Sequence, residues 1–226
     1  MNAFKVVADF EQALCDYCGS PFAVAVNSCT SAILLCLDYF KQTPEIWPWE
    51  PEMEIPKRTY VSIPMQILNV GGKPVFRDED WSGMYQIRPY PLWDAARRFT
   101  SGMFDGTCNN DFHYLECDKQ LNPKIKRFMC PSFHWSKILG IQQGGAILHN
   151  CPEADPVLRR MRFDGRQEGV EPKLDTFPIR GWHAYLAPEI AAEGLVRLSF
   201  LPKHNEDLPN SDYPDLSQIP LFGGES

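Results

Sequence analysis

The sequence predicts an α/β fold with a mainly parallel sheet and helices on both of its faces. Two observations support this prediction. Short apolar segments typical of buried strands alternate with segments whose apolar residues recur at helical spacing. Across residues 22–78 the alternation gives the order β-α-β-α-β, which usually produces parallel strands joined by crossover helices.

The composition is that of a globular protein with a full hydrophobic core. The chain has 226 residues, of which 44% are hydrophobic and 23% are charged, and this length accommodates one or two domains. A formal net charge of −7 argues against nucleic acid or an anionic membrane as the main partner. We find neither a membrane-spanning apolar run nor a secretion signal in the sequence, so we expect a cytoplasmic protein.

The chain begins with a predicted helix followed by a buried strand. Residues 4–18 place apolar side chains at helical spacing and stop at Gly19, and Phe22–Val26 is typical of a buried strand. A polar turn at 27–31 then leads into a buried helix at 32–37. Such a turn directs free N–H groups toward an anion. The alternative is an N-cap that binds no ligand.

The remaining elements follow from the same patterns. Residues 44–56 contain four prolines and two tryptophans, which predict an irregular crossing. Between Phe99 and Cys130 no periodicity is visible, so that stretch is predicted as a long loop or a small inserted flap. Residues 203–226 are predicted to form a poorly packed tail. The other predictions are an extended piece at 59–64, a helix at 65–72, a connection at 81–89, helices at 155–161 and 188–201, and strands at 73–78, 91–99 and 146–148.

The eight cysteines are expected to be reduced thiols that are mostly buried as small apolar side chains. Cys15 and Cys18 have the spacing of metal ligands. They fall on a predicted helix, however, and no second Cys-x2-Cys pair accompanies them. We therefore expect no metal site.

The stretch around Ser132 and Lys137 contains the groups with the clearest chemistry. A serine hydroxyl and nearby backbone can hold an anion, the lysine amine can act as a nucleophile, and Gly144 and Gly145 let two backbones approach closely. The predicted strand that contains Asp94 ends in an acid, and a carboxylate at a strand's C-terminal end lies where open α/β sheets place their ligands. With the turn at 29–31, these groups meet the needs of pyridoxal 5'-phosphate (PLP), namely a Schiff-base partner, a phosphate socket and an acid for the pyridine nitrogen. The alternative is a binding module in which Ser132 and Lys137 hold a different phosphate.

Six segments follow one another in the order and spacing of a known family. They are AVNSCTSA at 25–32, TYVS at 59–62, WDAA at 93–96, SFHWSK at 132–137 followed by Gly144 and Gly145, LRRMRFDG at 158–165, and PEIAAEGL at 188–195. This series resembles the DegT/DnrJ/EryC1/StrS sugar aminotransferases, which are fold type I PLP enzymes with the aspartate aminotransferase fold. The resemblance implies a truncated large domain of that fold with a reduced C-terminal part.

The resemblance also implies roles for single residues. Lys137 is the implied catalytic residue, which forms an aldimine with PLP. Asp94 is implied to pair with the pyridine nitrogen, Tyr60 to stack on the ring, and Ser132 to bind the phosphate. The full set of implied cofactor-binding residues is Cys29, Thr30, Ser31, Tyr60, Asp94, Arg97, Ser132 and His183.

The sequence departs from the family's pattern in residues and in length. Cys29 replaces a glycine of the phosphate turn, Arg97 replaces a glutamine or histidine, and His183 aligns with an asparagine that reaches the neighbouring subunit. Only thirteen residues separate Asp80 from Asp94, too few for two strands and a crossover helix.

These lengths predict a particular domain organisation. We predict a minimal PLP-binding α/β domain at 1–178. A reduced C-terminal helix and tail at 179–226 are expected to pack on the same domain.

The implied activity is ping-pong transfer of an amino group from an amino acid to a keto sugar. Glutamate is the expected donor, a nucleotide-linked keto sugar the expected acceptor, and a homodimer the expected assembly. No nucleic acid or membrane partner is expected. The alternative is a non-catalytic or degenerate PLP-binding protein.

Overall fold

The structure, a computed structural model, describes residues 4–104, 126–209 and 212–223. The helices are α1 Lys5–Cys18, α2 Cys29–Gln42, α3 Ser62–Asn69, α4 Ala154–Met161 and α5 Pro188–Phe200. The strands are β1 Phe22–Val26, β2 Glu52–Pro56, β3 Lys73–Arg77, β4 Tyr85–Ile87, β5 Leu92–Asp94, β6 Phe128–Cys130 and β7 Gly145–His149. Short 3-10 turns lie at Pro172–Leu174, Leu216–Gln218 and Pro220–Phe222.

The main sheet is mixed, so the prediction of a mainly parallel sheet is wrong. Its five strands run in the order β1-β7-β6-β5-β4. β5 and β6 are parallel, whereas β1 with β7, β6 with β7, and β4 with β5 are antiparallel. β2 and β3 form a separate two-stranded parallel sheet.

A short connection explains the antiparallel pairing of β4 with β5, and a closed loop that of β6 with β7. Four residues separate β4 from β5, and such a turn joins antiparallel neighbours because a parallel pair requires a long crossover. β6 and β7 are joined by the loop 131–144, whose ends meet through the bridge between Ser132 and Gly145. β4 thus occupies the edge beside β5. The β-α-β unit of β2, α3 and β3 forms a second sheet, which meets the β4 hairpin at a bridge between Glu54 and Arg88.

Helices cover both faces of the main sheet, as predicted. Alternate side chains of β1 point to opposite faces. Val24 and Val26 join one buried cluster with α2, α3 and α4. Ala23 and Ala25 join the other buried cluster with α1 and α5. The core therefore has two apolar layers with the sheet between them.

Most predicted elements are confirmed, with shifts at their ends. α1 ends at Gly19, which has the left-handed φ of 75°. α3 starts at Ser62, so the extended piece predicted at 59–64 stops earlier. The crossing at 44–56 contains β2, and the connection at 81–89 contains β4; both were missed. Within the stretch predicted as a loop or flap between Phe99 and Cys130, β6 was also missed, and residues 105–125 lie outside the described part of the chain. The strand predicted at 91–99 is too long, because β5 ends at Asp94.

The C-terminal tail is packed, contrary to the prediction. Arg98 binds Asp207 through two hydrogen bonds of 2.8 and 2.5 Å, and the Leu208 N–H donates to the Arg97 carbonyl at 2.9 Å. Gly83 has a left-handed φ of 66°, and a Cβ there would lie 2.1 Å from an Asp207 oxygen, so the glycine favours the close crossing of the tail. Further along, Leu216 and Phe222 are buried.

The thiols behave as predicted where they are described. Five of the six described cysteines are buried, and Cys15 is partly exposed. Among the helices of residues 4–104, 126–209 and 212–223, none is long and apolar enough to cross a bilayer.

Candidate active site

One cavity of about 710 Å³ lies where the N-terminus of α2, the end of β5, the loop 131–144 and the C-terminal tail meet. Predicted site residues in its lining are Cys29, Thr30, Tyr60, Asp94, Arg97, Ser132 and Lys137. The structure thus brings together residues that are up to 108 positions apart in the sequence.

The N-terminus of α2 forms one end of the cavity. Ser28 is its N-cap, and the Ser28 hydroxyl accepts a hydrogen bond from the Ser31 N–H at 3.0 Å. The Thr30 hydroxyl lies in the cavity wall, 2.9 Å from the hydroxyl of Ser62. Free N–H groups and the positive end of the helix dipole make such a terminus suitable for an anion.

Gly145 lets this helix start against the sheet. A Cβ built on Gly145 would lie only 2.4 Å from the backbone nitrogen of Cys29 and 2.6 Å from the carbonyl carbon of Ser28. Real Cβ contacts are essentially never so short. The Gly pair noted in the sequence therefore does bring two backbones together, as expected.

Lys137 projects from the loop 131–144, which is closed at its base. The Phe133 N–H donates to the Gly144 carbonyl at 2.9 Å, and the Lys137 N–H donates to the His134 carbonyl at 2.8 Å. Burial, and next the positive charge of Arg97, lower the pKa of the Lys137 amine below its ordinary value. A lowered pKa leaves more of the amine neutral and nucleophilic at neutral pH.

Asp94 is the last residue of β5 and is 3% exposed. Its Oδ1 accepts a hydrogen bond from the Ala96 N–H at 2.9 Å, and its Oδ2 accepts one from the Tyr85 hydroxyl at 2.8 Å. Burial raises the pKa of the Asp94 carboxyl, while these two donors and the cations of Lys137 and Arg97 oppose the rise. The site therefore holds a buried carboxyl group close to a half-buried amine.

Cys29, the residue predicted to replace a glycine, is buried at the start of α2. Its thiol donates to the Cys130 carbonyl at 3.1 Å and lies 3.9 Å from Oδ1 of Asp94. Burial raises the pKa of the Cys29 thiol well above its ordinary value, so the thiol stays neutral. The side chain is thus directed to the sheet, and it fills space beside Asp94.

Another part of the cavity lining combines aromatic side chains with a cation. Tyr60 is 54% exposed, and its ring centroid lies 6.3 Å from that of Tyr213. The Arg97 guanidinium lies over the Tyr213 ring at 5.6 Å and donates to the Pro209 carbonyl. Pro209 and Tyr213 of the C-terminal tail therefore form part of the cavity wall.

Two predicted site residues lie outside the cavity lining. Ser31 follows Thr30 on α2, and its hydroxyl lies 3.0 Å from that of Ser28. His183 is exposed, and its Nδ1 lies 2.9 Å from a carboxylate oxygen of Asp164.

Sequence reasoning missed several residues in and beside the cavity. Tyr213, Leu208 and Pro209 belong to the tail that was predicted to be poorly packed. Tyr85 contacts Asp94 from a stretch predicted as a connection. Tyr85 and Ile87 alternate as in a short strand with one buried face, but three residues are too few to predict a strand.

Comparisons with known proteins agree with this architecture. The sequence model of the DegT/DnrJ/EryC1/StrS aminotransferase family matches residues 2–103. A GDP-perosamine synthase of Caulobacter vibrioides is 24% identical over an alignment of 226 positions, which covers 88% of this chain and 58% of the relative. The chain therefore spans less than two thirds of this relative's length.

Solved structures show the same fold at low identity. Helicobacter pylori PseC, described as an aminotransferase involved in the biosynthesis of pseudoaminic acid, matches with a TM-score of 0.64 and 19% identity over 87% of this chain and 58% of its own. NtdA from Bacillus subtilis, solved with bound cofactor PMP, matches with a TM-score of 0.63 and 19% identity over 87% of this chain and 48% of its own. The chain is thus similar to the DegT/DnrJ/EryC1/StrS aminotransferase family, in sequence over residues 2–103 and in fold over most of its length.

Proposed function

We propose that the chain is a PLP-dependent aminotransferase that moves an amino group from an amino acid to a keto sugar. The observation that carries this proposal is the meeting of three groups around one cavity. These are the half-buried amine of Lys137, the buried carboxyl of Asp94 and the N-terminus of α2. We further propose glutamate as the donor and a nucleotide-linked keto sugar as the acceptor.

The residues at the N-terminus of α2 fit the phosphate of PLP. Thr30 and Ser132 place hydroxyl groups in the cavity wall, and Gly145 allows the backbone of α2 to reach it. The helix terminus adds N–H donors and a positive dipole end. Cys29 does not oppose this fit, because its neutral thiol donates to the Cys130 carbonyl.

Lys137 and Asp94 fit the reactive end and the ring of PLP. Bound PLP would supply an aldehyde that bonds amines and a protonated ring that withdraws electrons from the carbon being deprotonated. Lys137 would provide the amine for that aldehyde, and its lowered pKa favours both nucleophilic attack and later proton transfer. Asp94 would hold the ring nitrogen in its protonated form, and Tyr60 would cover one face of the ring.

The relatives support the substrate class. One is a GDP-perosamine synthase, and another is an aminotransferase involved in pseudoaminic acid biosynthesis. The PMP bound to NtdA supports the choice of cofactor. Because this chain spans 58% of the synthase, the complete reaction has to be tested on the chain itself.

We infer that residues 1–178 and 179–226 act as one unit, and that two such chains associate. The Tyr17 hydroxyl of α1 donates to the Pro202 carbonyl after α5 at 2.6 Å, which ties the C-terminal part to the first helix. His183 is exposed and lies outside the cavity lining, which leaves it accessible to a partner chain and supports the proposal that it serves a partner's site. A dimeric mass in sedimentation equilibrium is the expected result, and a strictly monomeric mass would contradict it.

The test is a half-reaction followed by spectroscopy. Purified protein is mixed with PLP, and glutamate is then added while the visible spectrum and 2-oxoglutarate are recorded. We expect the Schiff-base band to disappear as 2-oxoglutarate forms, and a nucleotide-linked keto sugar to restore it. A Schiff-base band that no amino acid can discharge would refute catalysis and favour the non-catalytic PLP-binding alternative.

A further inference from the structure

Tyr85 and Asp94 stand directly opposite each other in the pairing of β4 with β5. The Tyr85 hydroxyl donates to Oδ2 of Asp94 at 2.8 Å and lies 2.6 Å from the Thr59 hydroxyl. All three side chains are at least nine-tenths buried. We propose that Tyr85, supported by Thr59, is a positioning residue that keeps the Asp94 carboxylate ionised and oriented in the cavity wall.

The direction of the hydrogen bonds follows from the donor count. A tyrosine hydroxyl has one proton, and an ionised carboxylate only accepts. Since Tyr85 gives its proton to Asp94, the Thr59 hydroxyl has to donate to the oxygen of Tyr85. This makes a chain of donors from Thr59 through Tyr85 to Asp94, and successive hydrogen bonds of this kind polarise one another.

Tyr85 is suited to be a permanent donor. Burial, and next the negative charge of Asp94, raise the pKa of Tyr85 well above its ordinary value, so the hydroxyl keeps its proton. The ring is held by an edge contact with Trp81 at 4.8 Å. The donor is therefore fixed in both charge and position.

The other groups around Asp94 leave this role to Tyr85. From α2, the Cys29 thiol lies 3.9 Å from Oδ1 and donates instead to the Cys130 carbonyl of β6 at 3.1 Å. The cations of Lys137 and Arg97 favour the carboxylate through charge. The Ala96 N–H donates a hydrogen bond to Oδ1 of Asp94. Oδ2 receives its hydrogen bond from Tyr85.

The short connection explains why the donor comes from β4. Thirteen residues separate Asp80 from Asp94, and within them the chain makes one edge strand that returns directly to β5. That hairpin places Tyr85 on the carboxylate. The effect of Tyr85 on the ionisation of Asp94 does not depend on a bound cofactor. The consequence of this effect for PLP binding rests on the proposed function.

The first experiment measures the carboxyl group without any cofactor. The chain is labelled with ¹³C at the aspartate carboxyl carbons, and the Asp94 signal is identified by its loss in Asp94→Asn. We expect Tyr85→Phe and Thr59→Val to move the Asp94 titration to higher pH, because each removes support for the charged form. Thr59→Ser should retain the wild-type midpoint.

Tyr90→Phe is the matched control. Tyr90 is also buried, and its hydroxyl accepts a hydrogen bond from the Glu50 N–H at 2.7 Å, outside the cavity lining. We expect this variant to leave the Asp94 titration unchanged. An unchanged midpoint in Tyr85→Phe, or an equal shift in Tyr90→Phe, would overturn the inference.

The second experiment measures binding of PLP and of an analogue in which carbon replaces the ring nitrogen. Tyr85→Phe should lower the affinity for PLP about tenfold, because it removes one hydrogen bond to a charged group. The affinity for the analogue should remain unchanged. Equal losses for both ligands would refute the orienting role. If the wild-type chain forms no Schiff base with PLP, the proposed function fails, and the carboxyl titration alone decides the role of Tyr85.

Discussion

Replacing Gly145 by alanine tests whether the close approach of β7 and α2 builds the phosphate end of the cavity. The new Cβ would lie 2.4 Å from the Cys29 nitrogen, 2.6 Å from the Ser28 carbonyl carbon and 2.8 Å from the Cys29 Cα. Ordinary contact begins at 3.4 Å, so the two backbones have to separate by 1.0 Å. No flexible side chain can absorb this movement, because every atom met is backbone.

The expected cost has two parts. Overpacking of this kind destabilises a protein by about 1–3 kcal/mol, which urea unfolding will measure. A displacement of about 1 Å at a binding end costs on the order of a hundredfold in the reaction it supports. We therefore expect Gly145→Ala to reduce PLP affinity or turnover by much more than its lower free energy of unfolding can explain.

Gly194→Ala is the control for this prediction. Its Cβ would meet the Phe10 ring at 2.7 Å between α5 and α1, away from the cavity lining. It should lower the free energy of unfolding while PLP binding is retained. Wild-type PLP affinity in Gly145→Ala, or an equal loss in both variants, would refute the reasoning.

Three further predictions concern charge. Arg97→Gln removes a cation that lowers the pKa of Lys137, so the rate of Schiff-base formation should reach its midpoint at higher pH; an unchanged pH profile would contradict this. Burial raises the pKa of Asp155, but the hydrogen bond from Arg159 at 2.8 Å and the contact with His149 at 3.5 Å outweigh it and give a pKa of about 2. The folded pKa is below the ordinary 3.8, so this stability is present above pH 3.8 and is lost as pH falls toward 2. Asp155→Asn should therefore lower the free energy of unfolding by about 2 kcal/mol at neutral pH, with the difference vanishing near pH 2. Asp207→Asn breaks the half-buried pair with Arg98, so hydrogen exchange in residues 203–209 should accelerate, and equal protection in both proteins would show that the pair does not hold the tail.

The fold class was predictable because it depends on local patterns. Apolar spacing located α1, β1 and α2 within a few residues. Strand direction was not predictable, because it depends on connections whose strands were not recognised. β4 has three residues and β2 lies among prolines, so neither gives a periodic signal long enough to be read.

The site was partly predictable for a different reason. Lys137, Asp94 and Ser132 stand in short motifs whose chemistry is legible in the sequence, and the structure places them around one cavity. Tyr85 and Tyr213 carry no such motif. Their positions follow from a hairpin register and from the path of the tail, which are properties of the folded chain.

The most direct test of the account asks which amine bonds to PLP. The wild-type protein is incubated with PLP, reduced with borohydride to fix any Schiff base, digested, and analysed by mass spectrometry. We predict that the label is found on Lys137 and that Lys137→Ala abolishes both the label and the visible band. A label on another lysine, or none at all, would contradict the assignment of this cavity as a PLP site.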